Sequence, residues 1–320
     1  MAVATIAPRP LTLLLPSRAN LAGDVSTAPI LARVLARSDR DNASDGDEAQ
    51  LVRQFDILPR GLPIAALTRQ YDCADAMSHT WLRADPAHVR ADLGSGRLLA
   101  CGDLGLTREE AEELLVPLKP LFGDDGCPIS LGHETRWYLS LPHGARLPAF
   151  PPPSRVLGDD IYAHLPEGDL GRRWRRLMSE AQVILHNHPL NEARVRAGKP
   201  AVNTLWFWGG GVLPDHVRSA EQGIFSDDLL LLALAQRAGV PGFERPATFA
   251  RIENPARALI DLRRVRDVAV LDREWIAPLL SAQRDQRFDL LTLDFADGAR
   301  CHYARSHRWR FWRRTPPAFA

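Results

Sequence analysis

Short apolar runs of strand length alternate along this chain with longer stretches in which apolar residues return about every 3.6 positions. That alternation restricts it to the α/β class more than any other feature. Leu11-Thr12-Leu13-Leu14-Leu15, cut off by Pro16, reads as a buried strand. Gly168–His186 carries Leu170, Trp174, Leu177, Met178, Ala181, Ile184 and Leu185 at helical spacing, and Pro189 stops it. Thr107-Arg108-Glu109-Glu110 has the spacing of a capping box and starts a helix at about Arg108, which Pro117 and Pro120 must kink or end. Ser226-Asp227-Asp228 caps a Leu-rich helix over residues 229–238, closed by Gly239. Residues 136–141, 204–208, 265–271, Leu290–Phe295 and Ala299–Ala304 read as strands. A helix over 273–283 lies among the last of them, and Asp297-Gly298 makes the final hairpin turn.

Two stretches interrupt the alternation. Residues 38–48, SDRDNASDGDE, hold almost no apolar side chain and read as a surface loop, because they bury too little to offset their ordering entropy. Phe150-Pro151-Pro152-Pro153-Ser154 is a stiff extended connector at a subdomain edge. The expected division is residues 1–105 as the N-terminal part of a core and 106–165 as an inserted α+β subdomain. Residues 166–320 then carry the motif-bearing segment and the rest of the core.

Composition narrows the function. Forty Lys plus Arg against 39 Asp plus Glu leave a net charge of +1, so no global field draws the chain to nucleic acid or an anionic membrane. Cys73, Cys101, Cys127 and Cys301 are far apart and form no C-x-x-C pair, which points to reduced thiols in a cytoplasm rather than a zinc knuckle or a disulfide framework. The apolar patch at Leu11 to Leu15 falls far short of the ~20 residues a membrane span needs.

The chemistry concentrates in residues 186–211: His186-Asn187-His188-Pro189-Leu190-Asn191-Glu192-Ala193-Arg194, then Gly198-Lys199-Pro200-Ala201-Val202-Asn203, then Leu205-Trp206-Phe207-Trp208-Gly209-Gly210-Gly211. Arg194 offers a bidentate fork to a small anion and Lys199 a point charge. Asn191 and Asn203 offer orienting hydrogen bonds, and the glycines let backbone N–H groups approach a ligand. The competing reading is structural: polar groups after a helix end satisfy loop backbone, Trp-Phe-Trp is core, and three glycines are a turn. His186 and His188, two apart at a helix end, are weak metal ligands. No general base stands beside Ser17 in the sequence.

The pattern H-P-L-N-x-x-R-x-x-x-G-K-x-x-N followed by a Trp-containing strand and glycines resembles the archaeal-type cofactor-independent phosphoglycerate mutases of the alkaline phosphatase superfamily. Its matching positions are His188, Pro189, Asn191, Arg194, Gly198, Lys199, Asn203, Trp206, Trp208, Gly209 and Gly211, and a looser likeness runs over residues 80–245. The resemblance implies an alkaline-phosphatase-like, phosphoglycerate-mutase-like mixed sheet flanked by helices. It also implies a substrate-binding face at this segment, formed by His186, His188, Asn191, Arg194, Lys199, Asn203, Trp206, Trp208, Gly209, Gly210 and Gly211. The family also binds two divalent metals through an Asp after the first strand, a Ser or Thr nucleophile and a D-x-x-G-H-x-x-D set. Here Pro16-Ser17-Arg18 follows the first strand, and only His302 and His307 stand in the C-terminal third, without that arrangement. No metal or cofactor is therefore expected, and no catalytic residue can be named from the sequence.

From LLLPSRANL to the WRFWRR tail, the chain resembles the RpfE-type regulatory proteins of bacteria. The expectation is a cytoplasmic, non-catalytic regulatory protein that binds a small phosphorylated or carboxylated ligand. The alternatives are an active metal-dependent phosphoglycerate mutase or phosphatase, and a nucleic-acid-binding regulator acting through His307-Arg308-Trp309-Arg310-Phe311-Trp312-Arg313-Arg314. In that tail, period-2 spacing reads as a terminal strand with Trp309 and Phe311 turned inward and the arginines solvated, so nucleic acid is not the expected partner.

Overall fold

The computed structural model describes residues 9–92 and 95–314. The strands, in chain order, are β1 (Pro10–Leu15), β2 (Asp39–Asn42), β3 (Asp56–Leu58), β4 (His79–Asp92), β5 (Ser95–Cys101), β6 (Ile129–His133), β7 (Arg136–Pro142), β8 (Thr204–Val212), β9 (His216–Arg218), β10 (Gly223–Phe225), β11 (Gly242–Phe243), β12 (Ala258–Asp261), β13 (Leu290–Phe295) and β14 (Ala299–Ala304). The helices are α1 (Pro29–Arg37), α2 (Asp47–Val52), α3 (Ile64–Cys73), α4 (Arg108–Leu115), α5 (Leu118–Asp124), α6 (Gly168–His186), α7 (Pro189–Arg196) and α8 (Leu229–Arg237), followed by a helical stretch near residue 270. They form two compact units, Met1–Pro59 with His216–Ala320, and Arg60–Asp215.

The first unit is built on a seven-stranded mixed sheet in the order β11-β10-β12-β1-β13-β14-β2. From β11 to β13 the pairing is parallel, while β14 and β2 add antiparallel strands at one edge. A parallel strand covered on both faces needs no polar alternation, which is why β1 is apolar but for the buried Thr12, with Leu11, Leu13, Leu14 and Leu15 at most 1% exposed. Leu11, Leu13 and Leu15 pack with Leu31, Val34, Ile260, Trp275 and Leu293 into one core.

Two local readings change here. Residues 39–42 are not loop but an exposed edge strand. Its Asp-Arg-Asp-Asn side chains do not enter the core, and charge on an edge discourages further pairing. Residues 265–271 are not a strand; the strand is β12, four residues long. Asp267 accepts from the backbone N–H groups of Ala269 and Val270, which starts the helix Val268–Val270 instead. A π-helical turn, Leu271–Ile276, and Ala277–Arg284 continue it.

In the second unit, β4 carries the sheet: its fourteen residues pair with β7, β5 and β8, and β6 pairs with β7. α6 lays Trp174, Leu177, Met178, Ala181 and Leu185 into the same core as Trp206 and Phe207 of β8. Burial of a single leucine of this row contributes about 1.5–3 kcal/mol. The capping box of α4 is formed: Thr107 Oγ1 accepts from Glu110 N (3.2 Å) and Glu110 Oε2 from Thr107 N (3.1 Å). Pro117 separates α4 from α5.

The three glycines are not a turn. β8 runs through them to Val212, and they let α3 approach. Gly209 has φ +67°, and a Cβ there would lie 3.1 Å from Ile64 Cβ; one on Gly211 would lie 2.6 Å from Pro63 Cβ. Residues 106–165 share their core with β4, β5, α6 and β8 within the unit Arg60–Asp215. Among the described residues, no helix is long and apolar enough to cross a membrane.

Candidate functional site

Open parallel sheets place ligands beyond the carboxyl ends of their strands, where several loops converge. In the first unit, β1 ends at Pro16-Ser17, β12 at Asp261, β10 before Ser226 and Asp228, and β13 at Ala296-Asp297. There they surround a cavity of about 600 Å³, lined also by Asp45, Asp47, Arg263, Arg264 and Arg266.

The floor of this cavity is a closed ionic network. Arg263 lays Nε (2.9 Å) and Nη2 (2.8 Å) on the two oxygens of Asp261, and Nη2 also reaches Asp228 Oδ2 at 2.6 Å. Ser226 Oγ donates to Asp261 (2.7 Å) and accepts from Asp228 N (2.8 Å), while Asp228 Oδ1 caps α8 at Leu230 N. Burial pushes the Asp261 carboxyl up, but the Arg263 guanidinium outweighs it and holds the group below the usual carboxylate range. Burial likewise works against charge on Arg263, and Asp261 and Asp228 overcome it, keeping the guanidinium ionised. On the other side, Asp297 accepts from Arg18 Nε (2.8 Å) and from Arg18 N. Burial raises its carboxyl as well, and Arg18 brings it below the usual range. Arg264 and Arg266 stand exposed at the cavity mouth.

The divalent metals implied by the resemblance need carboxylates and imidazoles free to converge on a cation. Here Asp228 and Asp261 already share the guanidinium of Arg263, and no histidine is among the lining residues described. Among the described residues, no group of three or more His, Cys, Asp or Glu side chains could hold a metal ion. These residues do not fit a two-metal centre. His302 and His307 are engaged elsewhere. His302 meets Thr292 Oγ1 (3.1 Å) and Asp41, and His307 accepts from Ala304 N and faces Asp39.

The segment 186–211 lies in the second unit, and most of its expected ligand-facing groups have internal partners. Arg194, with its side chain 1% exposed, donates to Pro200 O (3.1 Å), Leu104 O (2.7 Å) and Glu110 Oε2 (2.5 Å). Asn191 donates to Leu185 O and Val202 O and accepts from Val202 N, closing the loop between α7 and β8. Asn203 pairs with both backbone groups of Val89. Trp206 and Trp208 donate from Nε1 to Pro151 O and Asp85 Oδ2, and Gly209 to Gly211 lie against α3 or, at Gly210, near Leu147. His188 caps α7 through Leu190 N. Lys199 stays about half exposed, 3.7 Å from Glu110. His186 is exposed and lines, with Tyr162, Gln182, Val183, Asn187 and Asn203, a shallow groove of about 510 Å³. Of the expected set, His186 and Asn203 line this groove together, while Asn191, Arg194, Trp206 and Trp208 are engaged with protein groups.

Asp228, Asp261, Arg263 and Asp297, absent from the sequence-derived set, each lie at or just after the carboxyl end of a strand. That is the one signal that marks them. The tail also differs from its sequence reading: β14 stops at Ala304, a 3-10 turn Arg305–Trp309 follows, and Trp309, Phe311 and Trp312 are 65%, 78% and 67% exposed.

No protein-family model matches the chain. Segments of it are similar to known enzymes. It is 30% identical over 109 residues to the probable 2,3-bisphosphoglycerate-independent phosphoglycerate mutase of Geobacter sulfurreducens, covering 34% of this chain and 27% of that protein. The likeness to the corresponding mutase of Methanosarcina mazei is 38% over 63 residues, 20% and 16% of the two chains. For that of Methanosarcina barkeri it is 27% over 180 residues, 53% and 45%. The matched segments thus span less than half the length of these relatives. Among solved structures, the cofactor-independent phosphoglycerate mutase of Thermoplasma acidophilum aligns over 92% of this chain and 90% of its own, with a TM-score of 0.45 and 17% identity. The sequence similarity relates the chain to cofactor-independent phosphoglycerate mutases.

Proposed function

We propose that this protein is a non-catalytic relative of the cofactor-independent phosphoglycerate mutases, a cytoplasmic bacterial regulator of the RpfE type that senses a small phosphorylated or carboxylated molecule. One observation carries the reading: the guanidinium of Arg263 takes up the carboxylates of Asp261 and Asp228 at the carboxyl edge of the sheet, where a catalytic cation needs them free. Function follows the site rather than the fold, and this site holds its charges in fixed pairs. At its mouth, Arg264 and Arg266 offer planar forks suited to phosphate or carboxylate. The four cysteines are free, which agrees with a reducing compartment.

The test joins metal analysis by mass spectrometry, a coupled 3-phosphoglycerate assay and thermal unfolding with added 3-phosphoglycerate. The expected result is no stoichiometric metal, no turnover, and an upward shift in Tm that disappears in Arg264→Ala/Arg266→Ala, since a ligand of the native state stabilises by mass action. Turnover together with bound metal would sink the reading. A Tm shift that survives the double variant but is lost in His186→Ala or Lys199→Ala would move the ligand to the segment 186–211.

A further inference from the structure

The C-terminal turn inverts its expected polarity for a physical reason. The last carbonyls of a helix have no partner within it, and cations are stabilised there. Arg310 donates to Arg37 O (3.0 Å) at the end of α1 and pairs with Asp39 (2.5 Å), and Arg313 donates to Ser38 O (2.8 Å). Arg37 in turn reaches Arg308 O (2.6 Å), and buried His307 packs edge-on against Tyr303. With these residues holding the backbone, the rings of Trp309, Phe311 and Trp312 are left in solvent, each about two-thirds or more exposed. Three adjacent aromatic side chains facing water form the kind of patch that marks a contact surface.

The patch is also strongly basic. Arg33, Arg284, Arg305, Arg308 and Arg314 are exposed. Arg37 donates to Arg308 O and Arg308 stands over Trp309, which places both guanidinium groups beside the exposed rings. The near-zero net charge of the chain hides this cluster. The guanidinium of Arg308 lies 4.9 Å from the centroid of Trp309, so one face of that ring already carries a planar cation. Phe311 and Trp312 stand at 80° to each other, which leaves ring faces open in two directions.

We propose that this surface binds single-stranded nucleic acid. The rings stack on unpaired bases and the surrounding arginines meet the phosphates, a combination that a duplex, with its bases hidden, cannot use. An anionic bilayer fits less well. The turn is a short 3-10 element rather than an amphipathic helix, and residues 305–314, RSHRWRFWRR, contain no aliphatic side chain to enter the acyl region. The surface is independent of the cavity at the carboxyl edge, so either assignment can fail without the other.

The experiment is fluorescence anisotropy of the full chain with fluorescein-labelled oligo(dT) and oligo(U) of about 16 nucleotides at about 150 mM salt, with quenching of tryptophan emission as a second readout. A duplex of the same length and vesicles of phosphatidylglycerol and phosphatidylcholine are run beside them. Single strands are expected to bind and quench, more tightly than the duplex. Trp309→Ala/Trp312→Ala should weaken binding at least about tenfold while circular dichroism and Tm stay unchanged, because both rings are exposed. Arg308→Ala should weaken it less and lower the salt dependence by about one ion. No binding to either single strand would overturn the proposal. So would binding that the double variant leaves intact, or vesicle association that needs the rings while the oligonucleotides stay free.

Discussion

Two arginines, one in each unit, each make three side-chain hydrogen bonds to internal partners and are sealed to different degrees. Arg194 is enclosed: its side chain is 1% exposed, and its donors go to Glu110 and to the carbonyls of Pro200 and Leu104. Arg263 makes an equally tight clamp on Asp261 and Asp228, yet it forms the floor of an open cavity, and Asp228 keeps 30% of its side chain exposed. A guanidinium that ties a loop to a helix is architecture. One at the carboxyl edge of a parallel sheet sets which charges a ligand meets. Residue type and hydrogen-bond count do not separate the two cases; position in the fold does.

The comparison breaks first at Arg194. Removing one partner of a buried ion pair leaves the other charge and several carbonyls uncompensated, so Arg194→Ala should destabilise by about 3 kcal/mol or more in urea unfolding. Lys199→Ala, at the half-exposed end of the same network, should change stability by less than about 0.5 kcal/mol. If Arg194→Ala were neutral in stability and abolished a phosphoglycerate-induced Tm shift, the residue would belong to a binding face after all. The next effect is smaller and of another kind. Arg263→Ala should cost about 2 kcal/mol, because Asp228 can reach water, and it should free the Asp261 and Asp228 carboxylates. Millimolar Mn²⁺ should then raise the Tm of the variant and leave the wild type unmoved. An equal response in both would mean that Arg263 does not control access to these carboxylates.

Much of the fold was legible because the elements concerned obey local rules: the capping box at Thr107, the 3.6-residue rhythm of α6 and the Asp-Gly hairpin before β14 need no tertiary knowledge. The edge strand β2 was not, since its four polar residues stay exposed and carry no apolar alternation to mark a strand. Strand β12 was hidden by its length, and its loss hid Asp261 and Arg263, whose meaning depends on ending that strand. For residues 186–211 the residue types were read well and their partners were not. Asn191 and Arg194 are placed where irregular backbone needs donors, and only the three-dimensional path of residues 104, 110 and 200–202 shows which groups receive them. In the tail, period-2 spacing suggested a strand, but the unsatisfied carbonyls at the end of α1 drew the arginines inward and turned the rings out.

A third carboxylate shows what such a group does without a guanidinium in contact. Glu221, in the same unit as Asp261, has Oε2 sealed from solvent with no hydrogen-bond partner among the described residues. Burial pushes its carboxyl from 4.5 up to about 7, and Arg257 offsets only part of that. A raised folded-state value means that the stability it contributes is fully present below about 4.5, where both states are protonated alike, and is lost as pH rises through about 7. Asp261 and Asp297, held low by Arg263 and Arg18, have the opposite sign: their contribution is present above the usual carboxylate value of 3.8 and lost as pH falls below it. The two effects occupy different pH windows and can be read separately. Between pH 5 and 8, Glu221→Gln should remove a decline in Tm that the wild type shows, and at pH 8 the variant should be the more stable by about 1–3 kcal/mol. The difference between the two proteins cancels the titration of histidines common to both. If the two Tm profiles run parallel across that window, Glu221 is solvated or paired, and the contrast between clamped and unclamped carboxylates in this unit fails at its simplest point.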